Sequence, residues 1–501
     1  MTPRTRTALL GAMLLSAAAW ADSGWREIQS PHVRLRTDLG SRAAREATLA
    51  VERFRAEIIA AAWPRATLPA VDRIEVVVYA NGLDFEQQFG RRLGGVFFHE
   101  VPPLAVLYGT PDRWERRANL ATSETTSVLR HELVHHLAAI VYRRQPRWFA
   151  EGLAQFLETI RPSSDGKALV LGAANLQAIR SYHAYRSVTV ADALAWSGKL
   201  DGLPEGTVHG LYGLSWLMVH WLFNAHPAQF DQLQVLLAKG IDPAKAWKII
   251  LPGLGVSDLD AELYQYAKHG NYQEYLAPFT PPTEAGFKEV VLSESEVHAE
   301  RARVALAAAR AATEPEPHRE EARRELARAL EIEPANVSAL LLQARGAEPS
   351  DRLELGRRLT EAHPEDGRSW LLLARSLGSS PGVAAERQAA YRKAVELKPD
   401  DATALNSLAW MYVQSGKASE AAPLIGRAVE LAPYDPGMLD TLAAVQSQLG
   451  RCSEAVASQA RAVDSLPDGV SAAVRRRFEE RLERYRSGCA AAPPADVKKD
   501  P

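Results

Sequence analysis

Two histidines four residues apart, His131 and His135, stand in the run LRHELVHHLAAIV, and a carboxylate, Glu151, follows in RRQPRWFAEGLA. Imidazole nitrogens and carboxylate oxygens are ligands that zinc accepts, and three such donors leave a fourth position for water. Zinc in that place lowers the pKa of the water toward ~7. Glu132 stands beside the first histidine. There a carboxylate can take the proton of the water and later hand it to a leaving amine. The chemistry open to this set is metal-assisted hydrolysis of an amide bond. Composition alone yields roughly 0.03 chance occurrences of the His-Glu-x-x-His pattern in such a chain, so the match calls for a structural context.

That context is two amphipathic helices. On a helix the two imidazoles share a face, about 40° apart. Leu129, Leu133, Leu137 and Ile140 fall at roughly 160–240° from His131, on the opposite side. Ala138 and Ala139 lie toward the histidines, where small side chains let another segment approach. Beyond a breaker at Pro146 the design recurs. Phe149, Leu153, Phe156, Leu157 and Ile160 cluster at roughly 140–240° from Glu151. Two such helices can pack antiparallel and set Glu151 against the histidine pair, with Gly152 permitting close approach. The expected ligands are His131, His135 and Glu151, with Zn2+ as the cofactor. Gln155, on the Glu151 side, is a candidate for orienting a ligand. Glu158, two turns past Glu151 on the same face, is the rival third ligand. His136 reads as a bystander.

HELVHH followed by WFAEGLA resembles the zinc-peptidase superfamily known as gluzincins or peptidase-MA-like. The resemblance is specific over residues 129–157 and extends in general layout over about 30–225. It implies an α+β zincin-like metallopeptidase domain, His131, His135 and Glu151 as metal ligands, Glu132 as the catalytic base, and a peptide or protein substrate. Fifteen residues separate His135 from Glu151, fewer than in the thermolysin-like and aminopeptidase-N-like branches. No Gly-x-Met-Glu-Asn motif stands upstream, so aminopeptidase activity is not implied. A hairpin expected around 96–108 falls where the superfamily places the edge strand that holds substrate backbone; a plain sheet strand is the other reading. Tyr212, in GLYGLSW, falls where related sequences carry a tyrosine near the zinc, placed to donate to an oxyanion. A buried structural tyrosine is the other reading there. His209 and His220 read as packing or surface histidines.

The rest of the 501 residues must position this site or serve another purpose. Arg4 and Arg6, the apolar run ALLGAMLLSAAA and Ala19-Trp20-Ala21 form a signal peptide over 1–21, with cleavage expected after Ala21. Roughly a dozen apolar residues fall short of the ~20 that span a bilayer. The expectation is an exported protein, periplasmic or secreted, with no stable membrane insertion after cleavage. A formal net charge of −2 gives no reason to expect a nucleic-acid partner. Alternation in SPHVRLRT, helical spacing of Val51, Phe54 and Ile58, and the β-branched run RIEVVVY make the region after the signal a mixed α/β one. The metallopeptidase domain is expected over 22–285, with helices to about 276 and a linker in APFTPPTEAG (277–286).

Past about 290, Ala, Leu, Arg and Glu dominate. Prolines at Pro334, Pro364, Pro399, Pro433 and Pro467 recur at spacings of 30, 35, 34 and 34, and 34 is the period of a helix–turn–helix repeat. Residues 401–433, with Ala409, Tyr412, Gly416, Ala421, Ala428 and Pro433, resemble the tetratricopeptide pattern. The next unit repeats it through Leu442, Ala443, Gly450, Ala455 and Ala462. An all-α tetratricopeptide solenoid is therefore expected over 286–490, with a capping helix over 472–488, a disordered tail over 491–501, and a protein partner. Cys452 and Cys489 are either a disulfide that pins the cap or two unpaired thiols. The reading from a different class is a non-catalytic repeat scaffold or assembly factor with a structural or vestigial metal site.

Overall fold

A computed structural model describes residues 24–64, 73–90, 95–98, 103–114, 128–142, 144–196, 202–270, 272–378, 380–433, 435–466 and 470–490. The expected signal peptide, its cleavage point and the C-terminal tail lie outside the described residues. So does the Cys489 side chain, and with it the proposed pairing with Cys452. No helix among the described residues is long and apolar enough to cross a membrane.

The N-terminal region is α+β. Its main sheet contains β1 (Arg26–Gln29), β2 (Val33–Thr37), β3 (Ile74–Tyr79), β4 (Gly95–Phe98), β5 (Leu104–Tyr108) and β9 (Lys288–Val291); a smaller one contains β6 (Arg161–Pro162), β7 (Ala168–Leu171) and β8 (Tyr275–Pro278). The main sheet is ordered β4-β5-β3-β2-β1-β9. The β2–β3 and β3–β5 pairs are parallel, and β1–β2, β1–β9 and β4–β5 are antiparallel. The hairpin expected around 96–108 is present, and β4 forms one edge of the sheet.

The central strand IEVVVY is buried along its whole length because both faces of the sheet are covered. Ile74, Val76 and Val78 turn to the main core, which holds Phe54 and Ile58 of the helix Ser41–Ala62 and Leu133, Leu137 and Phe149 of the two motif helices. Val77 and Tyr79 turn the other way, to Trp25, Val297 and Val304. The alternation in β2 follows the same logic. Val33 and Leu35 enter the main core, while Arg36 points to the far side, where its Nη1 donates to buried Glu300 at 2.5 Å.

That second face changes the expected domain division. Val297, Val304 and Glu300 lie on the helix Glu294–Ala311, and β9 pairs with β1. A boundary at 285/286 therefore falls inside the material that completes the N-terminal sheet. The composition shift near 290 marks a change of element type, because a four-residue strand carries too little pattern to register. The expected linker likewise begins as a strand, since Ala277 and Pro278 belong to β8 and pair with β7.

The two motif helices form as expected, at Val128–Val141 and Arg147–Leu157. Below we name them the histidine helix and the glutamate helix. Arg130 anchors the first. Its Nη1 donates to Glu57 Oε2 at 2.6 Å, with both side chains buried, and its guanidinium lies 4.4 Å from the Phe54 ring centroid. The second packs on the long helix Glu205–Ala225, and Gly152 sits at the contact.

Helix pairs make up the C-terminal region. They are Glu294–Ala311 with Glu316–Ile332, Val337–Gly346 with Pro349–Ala362, Gly367–Ser376 with Ala384–Leu397, Ala402–Gln414 with Ala418–Leu431, and Pro436–Gln448 with Cys452–Asp464, closed by Ala472–Ala490. The first helix of each pair starts on a capping side chain, Ser293, Asn336, Asp366, Asp401 or Asp435, that accepts a backbone N–H. These residues end the preceding turn by satisfying donors that the new helix leaves open. Gly416 and Gly450 adopt φ of 69° and 73°, a conformation that favours glycine, at the turn inside a pair.

A β-carbon at position 152 would lie 2.2 Å from the Ser215 carbonyl oxygen. Backbone cannot yield there without separating the two helices. Gly152→Ala is expected to destabilise the N-terminal region by about 1–3 kcal/mol or more, read as a lowered thermal transition. Melting at the wild-type temperature would contradict this packing.

Candidate metal centre

The hairpin of histidine and glutamate helices brings His131, His135 and Glu151 together, with one ligand atom of each within 4.8 Å of the others. The closest approaches are tighter. His131 Nε2 lies 3.3 Å from Glu151 Oε2, and His135 Nε2 lies 3.5 Å from Glu151 Oε1. The two Nε2 atoms are 3.1 Å apart. Bonds of ~2.0–2.1 Å in tetrahedral geometry put donor atoms roughly 3.3–3.4 Å from one another. Each imidazole nitrogen lies near that spacing from its own carboxylate oxygen, and one atom of each residue falls within 4.8 Å of the others, so small side-chain adjustments suffice to hold a zinc ion.

The environment also demands a cation. Glu151 is 1% exposed, and its Oε2 has no hydrogen-bond partner. His131 Nδ1 lies 3.1 Å from Glu158 Oε2. A carboxylate only accepts, so Nδ1 carries the proton of the neutral ring and Nε2 presents a lone pair. That lone pair faces His135 Nε2 and Glu151, so acceptors converge in a buried place where either a metal ion or a proton must sit between them. Burial by itself would raise the Glu151 pKa. The nearby rings of His131 and His135, with the charges of His135 and Arg147, outweigh it and hold the carboxyl well below its usual range. For His131, burial favours the neutral ring, but hydrogen bonds and charge from Glu151 and Glu158 prevail and raise its pKa.

Glu158 does not join the ligand triangle. It holds the far nitrogen of His131, and its Oε1 accepts from Asn175 Nδ2 at 3.2 Å. Asn175 is fixed in turn, its Oδ1 accepting from Ala178 N at 3.1 Å. This carboxylate–histidine pair sets the tautomer and ring orientation that a ligand requires. Gln155 does not have the part expected of it. Its Nε2 donates to the Tyr212 carbonyl at 2.9 Å and to the Glu151 carbonyl at 3.4 Å, tying backbone to backbone and leaving the Glu151 carboxylate alone.

Glu132 is half-buried on the histidine helix. Tyr212, on the helix Glu205–Ala225, is half-buried beside the ligands. Burial raises its pKa first, and the Glu151 charge adds to this. Arg147 opposes both through its charge and a hydrogen bond to the hydroxyl, and Glu132 acts on the same group. Tyr212 also meets Trp196 edge-on, with ring centroids 5.5 Å apart. Arg147 Nη2 lies 2.8 Å from Glu151 Oε1. The i,i+4 spacing of Arg147 and Glu151 put them on one helix face, so this pair had a signal in the sequence; Asn175 and Trp196 had none.

His136 is buried and outside the converging set. His220 is a packing histidine. It contacts the Gly172 carbonyl through Nε2 at 3.0 Å and the Tyr266 hydroxyl through Nδ1 at 2.8 Å, and burial lowers its pKa to about 4. His209 is half-exposed and stacks on Tyr185. β4, at the sheet edge, packs against the histidine helix.

A family described as a protein of unknown function (DUF1570) matches residues 125–240. That span contains His131, Glu132, His135, Glu151 and Tyr212. A tetratricopeptide repeat family matches residues 351–470. The C-terminal region carries tetratricopeptide repeats. No curated protein matches the chain. Similar solved structures include the crystal structure of a thermophilic TPR protein in Thermus thermophilus, at 20% identity over 37% of this chain and 99% of that one, with a TM-score of 0.30. Yeast Tom70 is 11% identical over 72% of this chain and 82% of its own, also with a TM-score of 0.30. At such scores neither carries weight; the repeat assignment rests on the family match and on the helix pairs.

The ligand set makes two expectations concrete. Glu151→Ala abolishes stoichiometric zinc binding, whereas Glu158→Ala weakens it by roughly 10–100-fold without abolishing it; the reverse order would transfer the third ligand to Glu158. Contact with Glu151 and Glu158 raises the His131 pKa, so zinc competes with a proton for that ring. Uptake at pH 7 is expected to release about one proton per ion, so affinity rises with pH. Calorimetry in buffers of different ionisation enthalpy measures this, and an enthalpy that does not vary with buffer would refute it.

Proposed function

We propose that the protein is a zinc-dependent metallopeptidase with a zincin-like domain, hydrolysing peptide bonds at the His131–His135–Glu151 centre, and that its repeats bind a protein partner or substrate. The observation that carries the reading is the ligand triangle with Glu132 adjacent to it. Among the described residues three donors converge. Structural zinc sites instead close all four positions with protein ligands and need no neighbouring base.

Bound zinc supplies an acidified water and a polarised scissile carbonyl. His131, His135 and Glu151 hold that ion, with Glu158 fixing the ring of His131. Glu132 takes the proton of the attacking water and passes it to the leaving nitrogen. The Tyr212 hydroxyl donates to the oxygen that gains charge as the carbonyl becomes tetrahedral. β4, an edge strand beside the histidine helix, offers main-chain donors and acceptors to an extended substrate. The basic, apolar and small-residue segments at the N-terminus support export to the periplasm or beyond.

A second reading has its own support. The repeats suggest a protein-interaction scaffold, and the family matched over the metal centre is described by no activity. In that reading the protein is a non-catalytic assembly factor, and the metal site is structural or vestigial.

One variant separates the two. In the zinc-loaded protein, Glu132→Ala is expected to keep stoichiometric zinc and lose peptide hydrolysis by at least about 100-fold. The measurement is metal content together with digestion of a diverse peptide library. Stoichiometric zinc in the wild type with no peptide cleaved would favour the scaffold.

A further inference from the structure

Arg147 precedes Glu151 by one helical turn and contacts more of the site than that spacing requires. Its Nη2 lies 2.8 Å from Glu151 Oε1. The same guanidinium hydrogen-bonds the Tyr212 hydroxyl and lies 5.7 Å from the Trp196 ring centroid. Trp196 in turn meets the Tyr212 ring. One planar, permanently charged group with its donors in a rigid fork therefore joins the third ligand to the oxyanion donor.

We infer that Arg147 is a positioning residue, which fixes the Glu151 carboxylate for metal ligation and orients the Tyr212 hydroxyl toward the reacting carbonyl. The inference rests on the zinc-hydrolase reading. With Oε1 held by Arg147, the carboxylate is not free to turn. Its unpartnered Oε2 then stays directed at His131 Nε2, 3.3 Å away. A phenol oxygen that accepts from a guanidinium keeps its own proton for a second acceptor, and the bond it accepts polarises that O–H. Making both contacts at once needs the fork. A lysine ammonium can replace the charge beside Glu151 but is a poor substitute where one planar group must reach two partners. An ordinary solvent-exposed i,i+4 ion pair contributes ~0.3–0.5 kcal/mol and acts on nothing else. Here the carboxylate partner is 1% exposed and ligates the ion.

The test uses the full chain with Arg147→Met, Arg147→Lys, Tyr212→Phe and the corresponding double variants. Zinc alone is the first probe, its affinity read by competition with a chromogenic chelator. Arg147→Met is expected to weaken zinc by roughly 10-fold or more, with Arg147→Lys recovering most of the loss. At saturating zinc, both Arg147 variants are expected to lower kcat on a cleaved peptide with little change in KM, and adding Tyr212→Phe to either lowers it no further. Wild-type zinc affinity in Arg147→Met overturns the inference. So do kcat losses that multiply in the double variant. Arg147→Lys keeps the zinc arm decisive if the methionine variant does not fold. That arm needs no turnover. A wild type that binds zinc but cleaves nothing refutes the peptidase reading and the Tyr212 part, while affinity still decides the clamp on Glu151. A wild type that takes up no zinc overturns both.

Discussion

A carboxylate taken out of water between two imidazoles has to be matched by positive charge, and the arrangement of the N-terminal region follows from meeting that demand at Glu151. An isolated buried carboxylate is costly enough to protonate instead. At Glu151 the opposite holds, and the group stays ionised because histidine and arginine surround it. That outcome needs the glutamate helix and the histidine helix to lie close. It also needs the glutamate helix to sit hard against the helix Glu205–Ala225, which only a missing β-carbon at Gly152 allows. Arg130 fixes the histidine helix from the other side by its buried pair with Glu57. The centre is thus held by packing and by ion pairs that do not themselves bind metal.

A second buried charge cluster links this region to the repeats. Arg36 donates to Glu27 at 2.8 Å and to Glu300 at 2.5 Å, and Arg303 pairs with Glu300 as well. Burial would raise the Glu300 pKa, but Arg303 and Arg36 outweigh it and hold the group ionised. Removing one partner from such a set leaves an uncompensated buried charge, at a cost of about 3–5 kcal/mol. The helix Glu294–Ala311 is therefore keyed to the sheet by specific residues as well as by Val297 and Val304. At the other end of the array Arg144, in the turn between the two motif helices, donates to Asp464 at 2.8 Å. The repeats meet the N-terminal region both where they begin and near where they end.

The motif helices were legible because an apolar stripe opposite the histidines repeats at 3.6 residues, and Phe149, Leu153 and Phe156 do the same opposite Glu151. The repeats were legible because small residues recur at matching places and prolines after helix ends recur at spacings of 30 to 35. The hairpin of β4 and β5 was legible in its apolar runs. β6, β8 and β9 were not. They are two to four residues long, too short for alternation to register, and the partners of β8 and β9 lie far away in sequence. At the candidate centre the convergence of His131, His135 and Glu151 was legible from residue type and face. The part of Glu158 was not, since periodicity places a side chain on a face and says nothing about which ring nitrogen it meets. Gln155 shows the same limit from the other side: it shares a face with Glu151 but spends its amide on two backbone carbonyls.

The short gap between His135 and Glu151 follows from helix lengths. The histidine helix runs from His135 to its end at Val141, about 9 Å at 1.5 Å per residue. The glutamate helix begins at Arg147 and reaches Glu151 after about 6 Å. Two antiparallel helices return to the same level when these lengths match to within what the connection spans, and residues 142–146 readily cover a difference of about 3 Å. The breaker at Pro146 starts the second helix directly after this short connection, so no longer loop is needed to bring the carboxylate back. A longer connection would place Glu151 no better. Fifteen intervening residues are enough because the hairpin is tight, and a tight hairpin also lets Arg147, in the first turn of the glutamate helix, reach the carboxylate it faces.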